Sequence, residues 1–77
     1  MNISIMYFGQ IAEVTGVKEE TMLLEHRLIS ELVSFLIQKY PELESKSFQV
    51  AQNKELVSFD TQLTGEEIAL LPPFAGG

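Results

Sequence analysis

The residues of this chain best suited to chemistry are its last six, Pro-Pro-Phe-Ala-Gly-Gly at positions 72–77. Prolines have no N–H to donate to a sheet and favour the polyproline II conformation. We therefore expect Pro72 and Pro73 to end any preceding strand and to lead away from the domain as an extended arm. At about 3.1–3.6 Å per residue, an arm of this length reaches roughly 20 Å. This is enough to enter the active site of another protein.

Gly76 and Gly77 strengthen this interpretation, because residues without side chains fit a slot that excludes every other residue type. The C-terminal carboxylate could then reach a reaction centre through a narrow channel. A frayed end is the simpler alternative, but it leaves the two prolines unexplained. We predict a folded domain at residues 1–71 and a functional tail at residues 72–77. The tail residues expected to contact a partner are Pro72, Pro73, Phe74, Ala75 and Gly76.

Length and composition exclude several classes of protein. The 77 residues allow one domain, and a core of this size rarely supplies more than about 3–5 kcal/mol, so no deep active site is expected. The absence of cysteine excludes disulfides, thiolate nucleophiles and cysteine-ligated metals. A net charge of −6 argues against nucleic acid as a partner. With no apolar stretch near ~20 residues and no signal sequence, we expect a cytoplasmic protein that does not bind membranes.

Hydrophobic periodicity predicts the elements that must hold this tail. Apolar residues at three- and four-residue steps indicate a main helix over residues 31–40, with Ser30 as its N-cap and Pro41 just beyond its end. A short helix is predicted over residues 10–14, closed by Gly16, and a polar loop over residues 42–47. The predicted strands are residues 2–8, 21–24, 48–51, 55–57 and 68–71.

The order of these elements predicts an α+β fold. The first strand is apolar on both faces and the last strand is apolar throughout, so both belong in the interior of a sheet, side by side. One face of that sheet should pack against the single main helix. This layout is a ubiquitin-like β-grasp, a mixed sheet on one helix, here with an extended C-terminal tail.

The second half of the chain carries a specific resemblance. Residues 56–77 run from a strand through Asp60-x-x-Leu63, a glycine turn with two acids, an apolar strand, Pro-Pro and Gly-Gly. This segment closely resembles the end of the small-subunit family of molybdopterin synthase, the MoaD-type sulfur carriers of the ubiquitin-like ThiS family. Leu71 and Phe74 depart mildly from that family's pattern. The resemblance extends, less specifically, to the rest of the chain.

The resemblance implies a function for Gly77. In similar proteins the terminal glycine is adenylated with ATP by an enzyme related to the ubiquitin-activating class, then converted to a thiocarboxylate. The tail enters the large subunit of molybdopterin synthase, where the sulfur is donated to a cyclic pyranopterin precursor. The family implies a heterotetramer of two small and two large subunits. No bound cofactor and no metal are implied for this chain.

The distribution of charge suggests that the chain has no active site of its own. All five basic residues precede position 55, so the last third of the chain has no cation to stabilise an acyl phosphate or an oxyanion. A partner should supply those groups. Phe59 could lie in the core or face that partner beside the tail.

The remaining polar residues have plain interpretations. His26 is the only histidine and is interpreted as a loop residue. The adjacent pairs Glu19-Glu20 and Glu66-Glu67 are interpreted as exposed turn residues that contribute to solubility.

Two other functions stay open on the residues alone. One is a related carrier, serving the thiazole of thiamine, tRNA thiolation, or modification of proteins through Gly77. The other is a plain binding module with an inert tail.

Overall fold

A computed structural model describes residues 1–25 and 27–73. It contains five strands, two α-helices and one 3₁₀ helix. The elements are β1 (Asn2–Tyr7), α1 (Gln10–Thr15), β2 (Glu19–Leu23), α2 (Ile29–Lys39), the 3₁₀ helix (Pro41–Ser45), β3 (Gln49–Gln52), β4 (Glu55–Val57) and β5 (Ile68–Leu71). His26 and residues 74–77, which include four of the predicted tail residues, lie outside the described ranges.

The strands form one mixed sheet in the order β2-β1-β5-β3-β4. β1 and β5 pair in parallel at its centre, with Tyr7 opposite Leu70, and the other neighbours are antiparallel. The predicted α+β layout, with the first and last strands side by side, is confirmed. The β3–β4 turn lies at Asn53 and Lys54, between two of the predicted strands, and both residues have the positive φ, 54° and 68°, that tight hairpins need.

The core lies between α2 and one face of the sheet. Helical spacing brings Ile29, Leu32 and Leu36 onto the sheet, where all three are fully buried. Strand alternation supplies the opposing side chains. These are Ile3, Ile5, Tyr7, Val50, Ile68 and Leu70. We call this the covered face; the opposite side of the sheet is the open face.

The prediction that Ser30 caps α2 is wrong. The helix begins at Ile29, and its N-cap is Leu28. The carboxylate of Glu31 accepts the backbone N–H of Arg27 and of Leu28, at 2.7 and 3.0 Å. Carbonyl groups of the loop after β4 accept the next two N–H groups, so no Ser30 side chain is needed for capping.

The polar loop predicted over residues 42–47 is partly wrong as well. Pro41 opens a 3₁₀ helix, a position where its missing N–H costs nothing. The helix turns Leu43 inward, where it is fully buried in the core cluster. A single apolar side chain among polar neighbours gave no periodic signal in the sequence.

Candidate functional site

The described part of the tail begins where β5 ends. The N–H of Phe8 donates to the carbonyl of Leu70 at 3.1 Å, beside the last residues of the parallel ladder. Beyond Leu71 the chain continues into Pro72, which is half-buried, and Pro73, which is exposed. Neither proline has an N–H, so β5 cannot extend its ladder through them.

An apolar row crosses the open face close to this exit. The strand registers align Met6, Ala69, Ala51 and Leu56 on four neighbouring strands. Strand alternation turns all four away from α2. Leu56 is 58% exposed, which is unusual for a large apolar residue within a strand. Together with half-buried Leu71, we call these five residues the open-face row.

Phe59 lies at the surface, next to the edge of this row. Its ring is 43% exposed and stacks on Phe48, with ring centroids 6.4 Å apart and an angle of 28° between the rings. The two rings line a shallow groove of about 300 Å³ that also includes Leu56 and Val57. Of the two positions predicted for Phe59, the structure therefore has the surface one. Contact with a partner stays a prediction.

Much of the motif between β4 and β5 has a structural role. The carbonyl groups of Phe59 and Thr61 accept the N–H groups of Ser30 and Ile29, at 2.8 and 2.9 Å. Leu63 is buried, and its N–H donates to Arg27. The loop thus caps the first two N–H groups of α2, in addition to the Glu31 carboxylate, which accepts those of Arg27 and Leu28. Within this loop Leu63 packs into the core cluster, and the Asp60 carboxylate accepts a hydrogen bond from Ser58 Oγ.

The interpretation of Glu20 as a turn or solubility residue is wrong. Its carboxylate accepts hydrogen bonds from Tyr7 Oη at 2.5 Å, Tyr40 Oη at 2.7 Å and Lys39 Nζ at 2.7 Å. The side chain is only 17% exposed. These three donors join β1, β2 and the end of α2. The four residues form the Glu20 network.

Charge and burial shift the pKa values within this network. Burial alone would raise the pKa of Glu20, but the hydrogen bonds from Lys39, Tyr7 and Tyr40 outweigh burial and lower that pKa. Burial, followed by the hydrogen bond to Glu20, raises the pKa of both tyrosines. The hydrogen bond to Glu20 raises the pKa of Lys39. At neutral pH Glu20 and Lys39 are therefore charged while both tyrosines keep their protons, and nothing in the geometry suggests proton transfer to a substrate.

The rest of the predicted site is only partly described. Gly77, Gly76, Ala75 and Phe74 lie outside residues 1–25 and 27–73, and so does His26. Within those ranges no cluster of acidic or histidine side chains could hold a metal ion. No helix there is long and apolar enough to cross a bilayer.

Comparison with known proteins gives a consistent result. The model of the ThiS family matches residues 5–77. The molybdopterin synthase sulfur carrier subunit of Chlamydomonas reinhardtii is 35% identical over an alignment of 83 positions that covers all of both chains. The human subunit of that name is 32% identical over 82 positions, covering 97% of this chain and 93% of the human one.

Solved structures agree on the fold. A molybdopterin converting factor subunit 1 from Pyrococcus furiosus matches with a TM-score of 0.86 and 21% identity, covering 96% of this chain and 99% of its own. The small archaeal modifier protein 1 of Haloferax volcanii matches with a TM-score of 0.82 and 24% identity, and the match covers all of both chains. A chain in the complex of subunits 1 and 2 of the molybdopterin-converting factor from Helicobacter pylori matches with a TM-score of 0.66 and 30% identity, again over all of both chains. By sequence and by fold, this chain belongs to the ThiS family.

Proposed function

We propose that this chain is the sulfur-carrier small subunit of a molybdopterin synthase, and that Gly77 carries the sulfur on its C-terminal carboxyl group. The observation that carries the proposal is a Gly-Gly terminus behind two prolines, on a β-grasp domain that contains no cysteine. Without a thiol, the C-terminal carboxyl group is the place where the chain can hold transferable sulfur. The relatives with this name span the whole chain, which supports the same assignment.

The chemistry proceeds in two steps before transfer. The Gly77 carboxylate attacks the α-phosphorus of ATP on an adenylyltransferase of the ubiquitin-activating type, forming an acyl adenylate and releasing pyrophosphate. Sulfide-level sulfur then attacks the acyl carbon, AMP leaves, and a thiocarboxylate remains at Gly77. The chain itself binds no cofactor in this scheme, because ATP is used by the activating enzyme. Both steps belong in the cytoplasm, where ATP is abundant.

Transfer requires a second protein. The thiocarboxylate sulfur forms a C–S bond with a carbon of the cyclic pyranopterin precursor in the large subunit and displaces an oxygen substituent from that carbon. Water then hydrolyses the acyl–sulfur bond, which leaves the sulfur on the precursor and a carboxylate at Gly77. No basic residue follows Lys54, so the cations that stabilise these charges come from the partner. The expected assembly is a heterotetramer of two small and two large subunits. The Helicobacter pylori complex of subunits 1 and 2 supports the pairing.

The open-face row supplies a docking surface for that partner. One member of the row, Leu71, is the last residue of β5 and comes directly before the tail. The fully buried core of an interface is more apolar than the rest of a protein surface, so an exposed large apolar side chain such as Leu56 suits burial by a partner. A large subunit seated there would have the tail directly beside it.

The test is a reconstituted conversion of precursor with the activating enzyme, a sulfur source and the large subunit. We compare the wild-type chain, a chain lacking Gly77 and a chain with one alanine added after Gly77. Both variants should lose conversion, because the reacting carboxyl group is displaced by one residue. Their free energies of unfolding should stay within about 0.5 kcal/mol of wild type, as expected for an exposed terminus.

Three outcomes would contradict the proposal. Undiminished conversion by either variant would show that the position of Gly77 is unimportant. Conversion without the large subunit would show that the chain has an active site of its own. Stable conjugates to lysines of other proteins in cells, with no conversion in the reconstituted reaction, would identify a protein modifier instead.

A further inference from the structure

The segments that follow β1 and β5 leave the sheet side by side, at the end of the strands where the tail begins. Because β1 and β5 run parallel with Tyr7 opposite Leu70, Gly9 and Pro72 lie two residues beyond a matched pair. A Cβ built on Gly9 would lie 2.8 Å from Cγ and 3.7 Å from Cδ of Pro72. The proline ring therefore rests on the bare backbone of Gly9.

This contact leaves no room for a side chain. A separation of 2.8 Å is well inside van der Waals contact between carbons, which is near 3.5–4.0 Å. The proline ring cannot swing aside as a flexible chain could, because it is tied to its own backbone. Gly9 also has a φ of 56°, a conformation that other residues adopt at a cost. Any larger residue at position 9 must displace Pro72 or distort the turn.

We propose that Gly9 is a positioning residue for sulfur transfer, a seat for Pro72 that sets the direction in which the tail leaves the domain. This inference rests on the proposed function. Pro72 and Pro73 cannot donate hydrogen bonds, so the ladder of β5 gives the tail no direction beyond Leu71. Packing against Gly9 is the contact that does so.

The direction of departure matters because the tail is long. An extended arm of six residues would measure about 18 Å, and a turn of about 20° at its base would move its end by about 6 Å. Errors of even about 1 Å at a reaction centre reduce rates by roughly 10²-fold. A seat that fixes the base of the arm therefore lowers the cost of bringing Gly77 to the precursor.

The chain contains a matched control for Gly9. Gly9 and Gly16 flank α1 as its N-cap and C-cap, and both have positive φ, 56° and 81°. Nothing lies within 4 Å of a Cβ built on Gly16. Gly9→Val and Gly16→Val both place a β-branched residue at positive φ, and only the first meets Pro72. The ψ of −132° at Gly9 is less accessible to valine than the ψ of 3° at Gly16, so the Pro72 variants below separate the contact from backbone strain.

Sulfur transfer is measured with each variant made by semisynthesis as the C-terminal thiocarboxylate, so that the activation step plays no part. Rates are normalised to the folded fraction from circular dichroism. We expect Gly9→Val to lower kcat at least tenfold while the KM for the carrier changes less than threefold, because docking uses the open-face row. Gly16→Val should keep a kcat within about twofold of wild type. Equal losses in the two variants would overturn the inference.

Pro72→Ala tests the same contact from its other side and does not depend on how well Gly9→Val folds. It should lower kcat severalfold, and the double variant Gly9→Val/Pro72→Ala should be no slower than the slower single variant. Multiplied losses would mean that the two residues act independently, which contradicts a shared seat.

A nuclear Overhauser effect between the Gly9 Hα atoms and the Pro72 ring protons in the free wild-type chain reports the seat directly. Its absence overturns the inference whatever the transfer rates are. Failure of the wild-type thiocarboxylate to transfer sulfur, with this effect present, overturns the proposed function instead.

Discussion

The two faces of the central strand β5 have the same chemical character but different roles. Leu70 is fully buried against α2, whereas Leu71, the next residue, points to the open face and is half-buried. The same alternation separates Tyr7 from Met6 on β1. The fold accounts for the apolar residues of the covered face. On the open face Ala51 is buried, but Leu56 remains 58% exposed, and a partner docked there would bury it.

This difference has a practical consequence for a sheet with one helix. Stability and partner binding fall on alternate residues of the same strand, so neighbouring substitutions should separate them. Four predictions test that separation.

The largest effect is expected for Leu70→Ala. Removing a fully buried leucine from a small core costs about 3 kcal/mol, through lost burial and the cavity left behind. A core of this size supplies about 3–5 kcal/mol. We expect a chain that is largely unfolded at 25 °C, measured by urea denaturation followed by circular dichroism. A cooperative transition close to that of wild type would show that the covered face is not the core.

Glu20→Gln should have the next largest effect, a loss of about 2 kcal/mol in the free energy of unfolding. The amide removes the charge that holds three hydrogen-bond donors, and two of these are tyrosine hydroxyl groups brought in from other elements. The measurement is the urea midpoint. Glu19→Gln is the matched control, since Glu19 is exposed and lies opposite Met6, towards the open face. Equal losses in the two variants would contradict the Glu20 network.

Leu71→Ala should leave the fold intact and weaken binding of the large subunit about tenfold, equivalent to about 1.4 kcal/mol. The change in unfolding free energy should be under about 1 kcal/mol, because the side chain is only partly buried in the folded chain. Isothermal titration calorimetry measures the affinity, with Glu66→Ala as an exposed control outside the row. Unchanged affinity combined with a large loss of stability would reverse the roles of the two faces.

The smallest effect is on the pH dependence of stability. The pKa of Glu20 is lower in the folded chain, so its contribution is complete above the ordinary glutamate pKa near ~4.3 and is lost as pH falls below it. The pKa values of Tyr7, Tyr40 and Lys39 are higher in the folded chain, so their contribution is lost as pH rises above ~10. Urea midpoints of wild type and Glu20→Gln should therefore converge at both extremes. A constant difference between them would contradict this assignment.

The sequence predicted the fold well because its signals are periodic. Alternation in β1, helical spacing in α2 and the apolar run of β5 are each repeated several times, and their order left few topologies. The start of α2 was missed because its cap comes from the carbonyl groups of Phe59 and Thr61, about 30 residues away in the chain. Backbone groups leave no mark on residue type.

The site was predictable only where function depends on residue type. Pro72, Pro73 and the terminal glycines are conspicuous in the sequence itself. Glu20 was not, because its role depends on Tyr7, Tyr40 and Lys39 meeting it in space. The seat on Gly9 was likewise invisible, since it depends on the parallel register of β1 and β5.

The central claim is that sulfur is carried at Gly77, and mass spectrometry tests it most directly. The chain is incubated with ATP, a cognate activating enzyme and a sulfur source, then digested with trypsin to release residues 55–77. This peptide contains no Met, Cys or Trp, so an oxidised side chain of those types cannot imitate a gain of sulfur. We predict that one oxygen at Gly77 is replaced by sulfur. An unchanged peptide, with an activating enzyme proven on another carrier, would contradict the account.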